Sequence, residues 1–204
     1  AYGLTETVSG DTFLAKDKML DRLGSVGKPL PHLKVKIVDE NDNEVQATQP
    51  GEICLKGPKV FKGYWKNPEA TTEAMRGGWF HTGDIGMLDN DGFLYIMDRK
   101  KDMIISGGEN IASPEVERVI YEIPGVLEAA VVGIPHPKWL EIPKAYVVLK
   151  EGAQVTKEDI VQHCSSKLAK FKVPKEIEFI DALPRNPSGK VLKRELREMH
   201  KNKG

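Results

Sequence analysis

Cysteine is scarce: Cys54 and Cys164 are the only two in 204 residues, too few and too far apart for a disulfide framework or a thiolate zinc site. Charge of one sign is lacking as well. Thirty Lys and Arg balance thirty Asp and Glu, which removes the bulk positive charge that nucleic-acid binders use. The longest apolar runs, such as residues 129–132, fall far short of the roughly 20 residues of a membrane-spanning helix. No basic lead followed by an apolar stretch marks a secretory signal, and residues 201–204 are not a peroxisomal Ser-Lys-Leu address. The five histidines are scattered without ligand spacing, no Gly-x-Ser-x-Gly elbow is present, and nothing suggests a Cys–His pair. With 40% hydrophobic and 29% charged residues, the expectation is a soluble, cytoplasmic chain of one or two domains.

The chain changes texture along its length. Residues 33–38 alternate apolar and basic side chains, and residues 52–55 form a second strand candidate. Residues 84–88 and 93–97 flank Asp89-Asn90-Asp91-Gly92, a hairpin signal. Asn67 followed by Pro68 predicts a short helix that Gly77-Gly78 stops. Beyond Met97, helices and strands mix. Ser113-Pro114-Glu115 predicts a helix start with Ser113 as the cap. Thr156 with Asp159 predicts another, with Cys164 on its buried face. Residues 127–134, 145–149 and 176–180 read as strands, and residues 191–199 as an amphipathic helix. The division falls at Met97/Asp98.

Four short constellations have residue types suited to chemistry. Tyr2-Gly3-Leu4-Thr5-Glu6 supplies an aromatic, a hydroxyl and a carboxylate, the parts needed to stack a base, touch a phosphate and hold Mg²⁺. His81-Thr82-Gly83-Asp84 sets an acid after a glycine turn, where a carboxylate can accept ribose hydroxyls. Gly107-Gly108 follows an apolar strand and permits close approach of a ligand or a left-handed turn. The loop 184–190 delivers Lys190, a mobile cation suited to charge stabilisation. Each also has a bland reading as terminus, turn or surface lysine.

Their order is more specific. With Gly51-Glu52-Ile53-Cys54-Leu55-Lys56-Gly57-Pro58, Gly63-Tyr64-Trp65, Pro68-Glu69-Ala70-Thr71, Asp98-Arg99-Lys100-Lys101-Asp102, Pro114-Glu115-Val116-Glu117 and Ser188-Gly189-Lys190, the chain resembles the adenylate-forming superfamily of acyl-CoA synthetases along essentially its whole length. The resemblance implies an α+β fold. Residues 1–97 would be the last part of a large N-terminal domain, chiefly a β-barrel-like subdomain. Residues 98–204 would be a small mobile α+β domain with a three-stranded antiparallel sheet and helices, hinged at Asp98.

It also implies a two-step reaction: a carboxylic acid, expected to be fatty, attacks Mg-ATP to give acyl-AMP and pyrophosphate, and coenzyme A then displaces AMP. ATP, Mg²⁺ and CoA are thus the implied small-molecule partners, with no nucleic acid. By the same resemblance Tyr2 would stack on adenine, Thr5 contact phosphate and Glu6 ligate Mg²⁺. Asp84 and Arg99 would hold the ribose, Gly107 and Gly108 line the pantetheine approach, and Lys190 bridge carboxylate and phosphate oxygens. The family's upstream phosphate loop is not in the sequence, so the expectation is a fragment inactive on its own. Alternatives are an adenylation domain loading a carrier-protein thiol and a non-catalytic interaction module of the same fold. Two departures stand out. Ala112-Ser113 replaces a frequent Tyr-Pro, and Leu140 stands where glycine is common.

Overall fold

A computed structural model describes residues 1–202 and divides into two units, Ala1–Lys100 and a second from Lys101 onward. In the first unit, β1 (Thr12–Phe13), β2 (Ser25–Pro29), β3 (Lys34–Val38), β4 (Gly51–Lys56), β5 (Phe80–Leu88) and β6 (Leu94–Arg99) form one sheet. Their order is β1-β2-β6-β5-β4-β3, and every neighbouring pair is antiparallel. The basic positions of β3 suit an edge strand, where charge discourages pairing with a further chain. Asp89 closes the β5–β6 turn, its carboxylate accepting from the Asp91 and Phe93 amides at 3.0 and 2.8 Å. Helix α1 (Pro68–Ala74) is capped by Asn67, whose side chain accepts from the Ala70 amide at 3.1 Å. Leu33, Ile37, Ile53, Leu55, Phe80 and Leu94 make the core. The order has two edge strands, β1 and β3, so these residues form an open sheet where a barrel-like closure was expected.

The second unit contains β7 (Ile104–Ser106), β8 (Glu109–Ile111), α2 (Ser113–Tyr121), β9 (Val126–His136), β10 (Leu140–Leu149), α3 (Lys157–Lys167), β11 (Glu176–Phe179) and α4 (Lys193–Lys201). The long apolar runs of β9 and β10 follow from burial on both faces. Ala129, Val131, Ala145 and Val147 pack with residues of α2 and α3. Ala130, Val132, Ile134, Tyr146 and Val148 pack with Leu196 of α4. Cys164 belongs to the first cluster, as its helical spacing predicts.

Two expectations for this unit are corrected. The sheet has five strands, not three, and the β10–β11 pair is parallel. Strands β7 and β8 have three residues each, too short to show a period, and β11 runs parallel because α3 provides a crossover after β10. The cap of α2 is Ala112, not Ser113; the buried Ser113 hydroxyl instead accepts from the Lys193 ammonium at 2.5 Å. Thr156 and Asp159 do form the capping box of α3. No helix among the described residues is long and apolar enough to cross a membrane.

Candidate functional site

The first unit gathers three of the singled-out residues at one interruption of its sheet. Cys54 pairs with His81 and Glu52 with Ile85, so Thr82, Gly83 and Asp84 of β5 oppose Ile53 alone. A bulge of this kind re-aims side chains and forfeits ladder hydrogen bonds. Gly83 takes φ +72°, the left-handed region that suits glycine. Side chains make good the lost bonds: Thr82 Oγ1 donates to the Ile53 carbonyl at 2.8 Å and accepts from the Asp84 amide at 3.1 Å. The Gly83 amide donates to Glu52 Oε1 at 3.1 Å, while its carbonyl accepts from the Lys100 amide at 2.8 Å.

The bulge presents Asp84. The Tyr2 hydroxyl donates to its Oδ2 at 2.7 Å, and Arg99, its register partner on β6, brings Nε to 3.9 Å from Oδ1. Burial, reinforced by the Asp84 charge, raises the Tyr2 phenol well above its ordinary value. Arg99 is half exposed, so its guanidinium retains donors for a ligand.

Tyr2 is anchored by a compact loop. Its amide and carbonyl pair with Thr12, and its carbonyl also accepts from the Asp11 amide at 2.8 Å. Thr5 opens a single 3₁₀ turn, Thr5–Thr7, and is exposed, while Glu6 accepts from the Tyr64 hydroxyl at 3.0 Å. The described residues hold no group of three or more metal-ligating side chains. A lone carboxylate fits Mg²⁺ arriving on phosphate oxygens, since that ion keeps its own waters and takes one or two protein carboxylates.

Behind the bulge lies a charged cluster that the sequence motifs did not reveal. Glu52 Oε2 meets Lys100 Nζ at 3.0 Å, His81 Nδ1 at 3.4 Å and Arg76 NH2 at 3.6 Å. Although burial alone would raise it, the Lys100 and His81 contacts hold the Glu52 carboxyl below its ordinary value. The available signal was a charged residue abutting the apolar run Ile53-Cys54-Leu55. Cys54 Sγ also lies 3.3 Å from His81 Nδ1, a Cys–His proximity the sequence did not suggest. It is not a nucleophile pair. That nitrogen is shared with Arg76 NH2 at 3.0 Å and Glu52 Oε2 at 3.4 Å. Burial pushes the thiol up to about 12, leaving it protonated and inert.

In the second unit, Gly107 and Gly108 form the two-residue turn between β7 and β8, with φ +61° and +88°. A Cβ on Gly107 would stand 2.8 Å from the Trp139 ring, and the Gly107 amide donates to the Trp139 carbonyl at 2.8 Å. Lys190 is exposed on a loop organised by Asn186, whose Oδ1 accepts from the Lys190 amide and the Ser188 hydroxyl, both at 2.8 Å.

Residues 1–65 match the family model described as AMP-binding enzyme, and residues 115–190 match that of the AMP-binding enzyme C-terminal domain. A 2-succinylbenzoate–CoA ligase of Geobacillus sp. (strain WCH70) is 49% identical over 202 residues, covering 98% of this chain and 41% of that protein. The chain thus spans about two-fifths of the length of the curated relatives it matches. Among solved structures, o-succinylbenzoate CoA synthetase of Bacillus subtilis with its acyl-adenylate OSB-AMP matches at TM-score 0.91 and 42% identity, over 96% of this chain and 40% of that one. ATP-bound MatB of Rhodopseudomonas palustris matches at TM-score 0.83 and 42% identity, over 88% of this chain and 36% of that one.

Proposed function

The chain belongs to the AMP-binding enzyme family of adenylate-forming ligases, and from that premise we propose that it supplies the ribose-binding residues and the mobile lysine of an AMP-forming acid–thiol ligase. The observation that carries this reading is the meeting of Tyr2, Asp84 and Arg99 at the β5 bulge, with 82 positions separating Tyr2 from Asp84. A buried carboxylate flanked by a phenol and a half-exposed guanidinium suits a nucleoside diol. The carboxylate accepts from the two hydroxyls, and the guanidinium donates to their oxygens.

In the proposed reaction an acid carboxylate attacks the α-phosphorus of ATP, releasing pyrophosphate and forming the acyl-adenylate. The coenzyme A thiol then adds to the acyl carbon and AMP leaves. Glu6 would hold Mg²⁺, which would supply charge neutralisation on the phosphates. Thr5 faces phosphate, Tyr2 the adenine, and Lys190 the carboxylate and α-phosphate oxygens where charge develops. Removing a donor of that kind costs about 10²–10³ in rate. Gly107 and Gly108 are assigned to the pantetheine approach. Movement about the Asp98 region would let the second unit serve both half-reactions.

The relatives' names favour 2-succinylbenzoate over a fatty acid as the substrate. Because those relatives are more than twice as long, we propose that the 204 residues alone bind nucleotide without turnover. ATP–pyrophosphate exchange tests this, with Mg²⁺ and 2-succinylbenzoate, alongside an amide-shift titration of the ¹⁵N-labelled chain with AMP. Absent exchange together with AMP-dependent shifts at Gly83 and Asp84 is the expected result. Acid-dependent exchange abolished by Lys190→Ala would overturn the claim that these residues need the remainder of the relatives' length. Absence of shifts at the bulge would overturn the nucleotide assignment.

A further inference from the structure

We propose that Glu52 is a positioning residue for ribose recognition, its carboxylate standing in for the strand acceptor lost at the bulge and thereby fixing the direction in which Asp84 points. The proposal rests on the assignment of Asp84 to the ribose. Glu52 is only 6% exposed, and its two oxygens divide the work. Oε1 accepts from the Gly83 amide at 3.1 Å, immediately before Asp84. Oε2 meets Lys100, His81 and Arg76, at 3.0, 3.4 and 3.6 Å. A buried carboxylate is retained without great cost only when its oxygens are satisfied in this way.

The geometry explains why a carboxylate stands at this position. The Gly83 peptide is gripped on both sides, by Glu52 at its N–H and by the Lys100 amide at its carbonyl. Lys100 in turn donates its ammonium to Glu52. Gly83, Glu52 and Lys100 therefore close a ring of three contacts around the left-handed step, and Asp84 extends from it. Glutamine keeps an acceptor for Gly83. Its carboxamide N–H₂ donors would face the Lys100 and Arg76 cations if the acceptor is so used, and those cations would lose their counter-charge. Alanine removes both functions.

The test measures ribose preference instead of affinity alone. The ¹⁵N-labelled chain is titrated with AMP and with 2′,3′-dideoxy-AMP, for the parent, Asp84→Asn, Glu52→Ala, Glu52→Gln and the Glu52→Ala/Asp84→Asn pair. The parent is expected to prefer AMP by about tenfold, the worth of a hydrogen bond to a charged group. Glu52→Ala should abolish that preference as Asp84→Asn does, and the pair should lose no more. Glu52→Gln should retain part of it, and serves for the comparison if alanine prevents folding. Equal weakening of both nucleotides by the Glu52 variants, with the preference intact, would show that Glu52 only supports the fold and would overturn the proposal. A parent without preference overturns the ribose assignment of Asp84 itself, and the positioning role with it.

Discussion

The Tyr2 hydroxyl donates to Asp84 Oδ2 at 2.7 Å, so the aromatic assigned to adenine and the acid assigned to ribose hold one another in place. The bond is charge-assisted, a type roughly twice as strong as a neutral one.

That contact has an alkaline signature. Burial and then the Asp84 charge disfavour the Tyr2 phenolate, so its folded-state value lies above the ordinary 10.0. A raised value contributes stability that is fully present below pH 10 and is lost as pH rises beyond it, because the unfolded chain releases the proton first. Titration at 295 nm, differenced against Tyr2→Phe, should show Tyr2 still protonated where an ordinary tyrosine is ionised. Asp84→Asn should move it downward. An unshifted Tyr2 in the parent would contradict the contact.

Leu140 adopts φ +69°, a left-handed conformation that suits glycine better than a residue with a Cβ. The strain is about 1–2 kcal/mol for a residue with a Cβ, against a glycine entropy cost of about 0.5–1 kcal/mol. Leu140→Gly should therefore stabilise the second unit by about 0.5–1 kcal/mol, seen as a higher urea midpoint. Gly107→Ala should do the opposite, since its Cβ would meet the Trp139 ring at 2.8 Å.

Features set by neighbouring residues were legible in advance. Asn67 before Pro68, the Asp89–Gly92 turn and the Thr156–Asp159 capping box are local chemistry, and each is present. The motif order also revealed the family. What escaped depends on register and on distant partners. Nothing near Thr82 announces that three residues will face Ile53 alone. Glu52 finds Lys100 only 48 positions later. The parallel placement of β11 follows from the packing of α3 and not from the residues of β11, and Ser113 was drawn from its expected cap by Lys193.

The loop behind Tyr2 depends on Lys59. Val8, Ser9 and Gly10 are successively left-handed. The Lys59 ammonium donates to the Ser9 and Gly10 carbonyls at 2.6 and 2.8 Å and lies 3.0 Å from Asp11 Oδ1. That oxygen is buried and has no hydrogen-bond geometry to any partner, so its compensation is the ion pair. Lys59→Met strands a buried carboxylate and should cost about 3 kcal/mol. Asp11→Asn in the Lys59→Met background should recover part of the loss. Urea denaturation of the parent, Lys59→Met, Asp11→Asn and the pair measures the coupling, and additive effects would count against it.

Lys190 is exposed, but the backbone that carries it is not free. Asn186 donates its amide to the Lys190 carbonyl at 3.0 Å and accepts the Gly189 amide at 2.9 Å, and its side chain accepts the Lys190 amide and the Ser188 hydroxyl. Arg185 adds a bond to the Gly189 carbonyl at 2.6 Å and an ion pair with Glu128. This loop therefore holds the base of a mobile side chain while leaving the ammonium exposed, which would lower the cost of ordering it in the role proposed above. Asn186→Ala removes the two bonds its side-chain oxygen accepts but leaves α4, which starts at Lys193, untouched. Amide relaxation and hydrogen exchange should show residues 187–190 loosened, with the global urea midpoint shifted by less than about 1 kcal/mol. Unchanged order across those residues would show that the backbone bonds and Arg185 hold the loop without the Asn186 side chain, against the prediction.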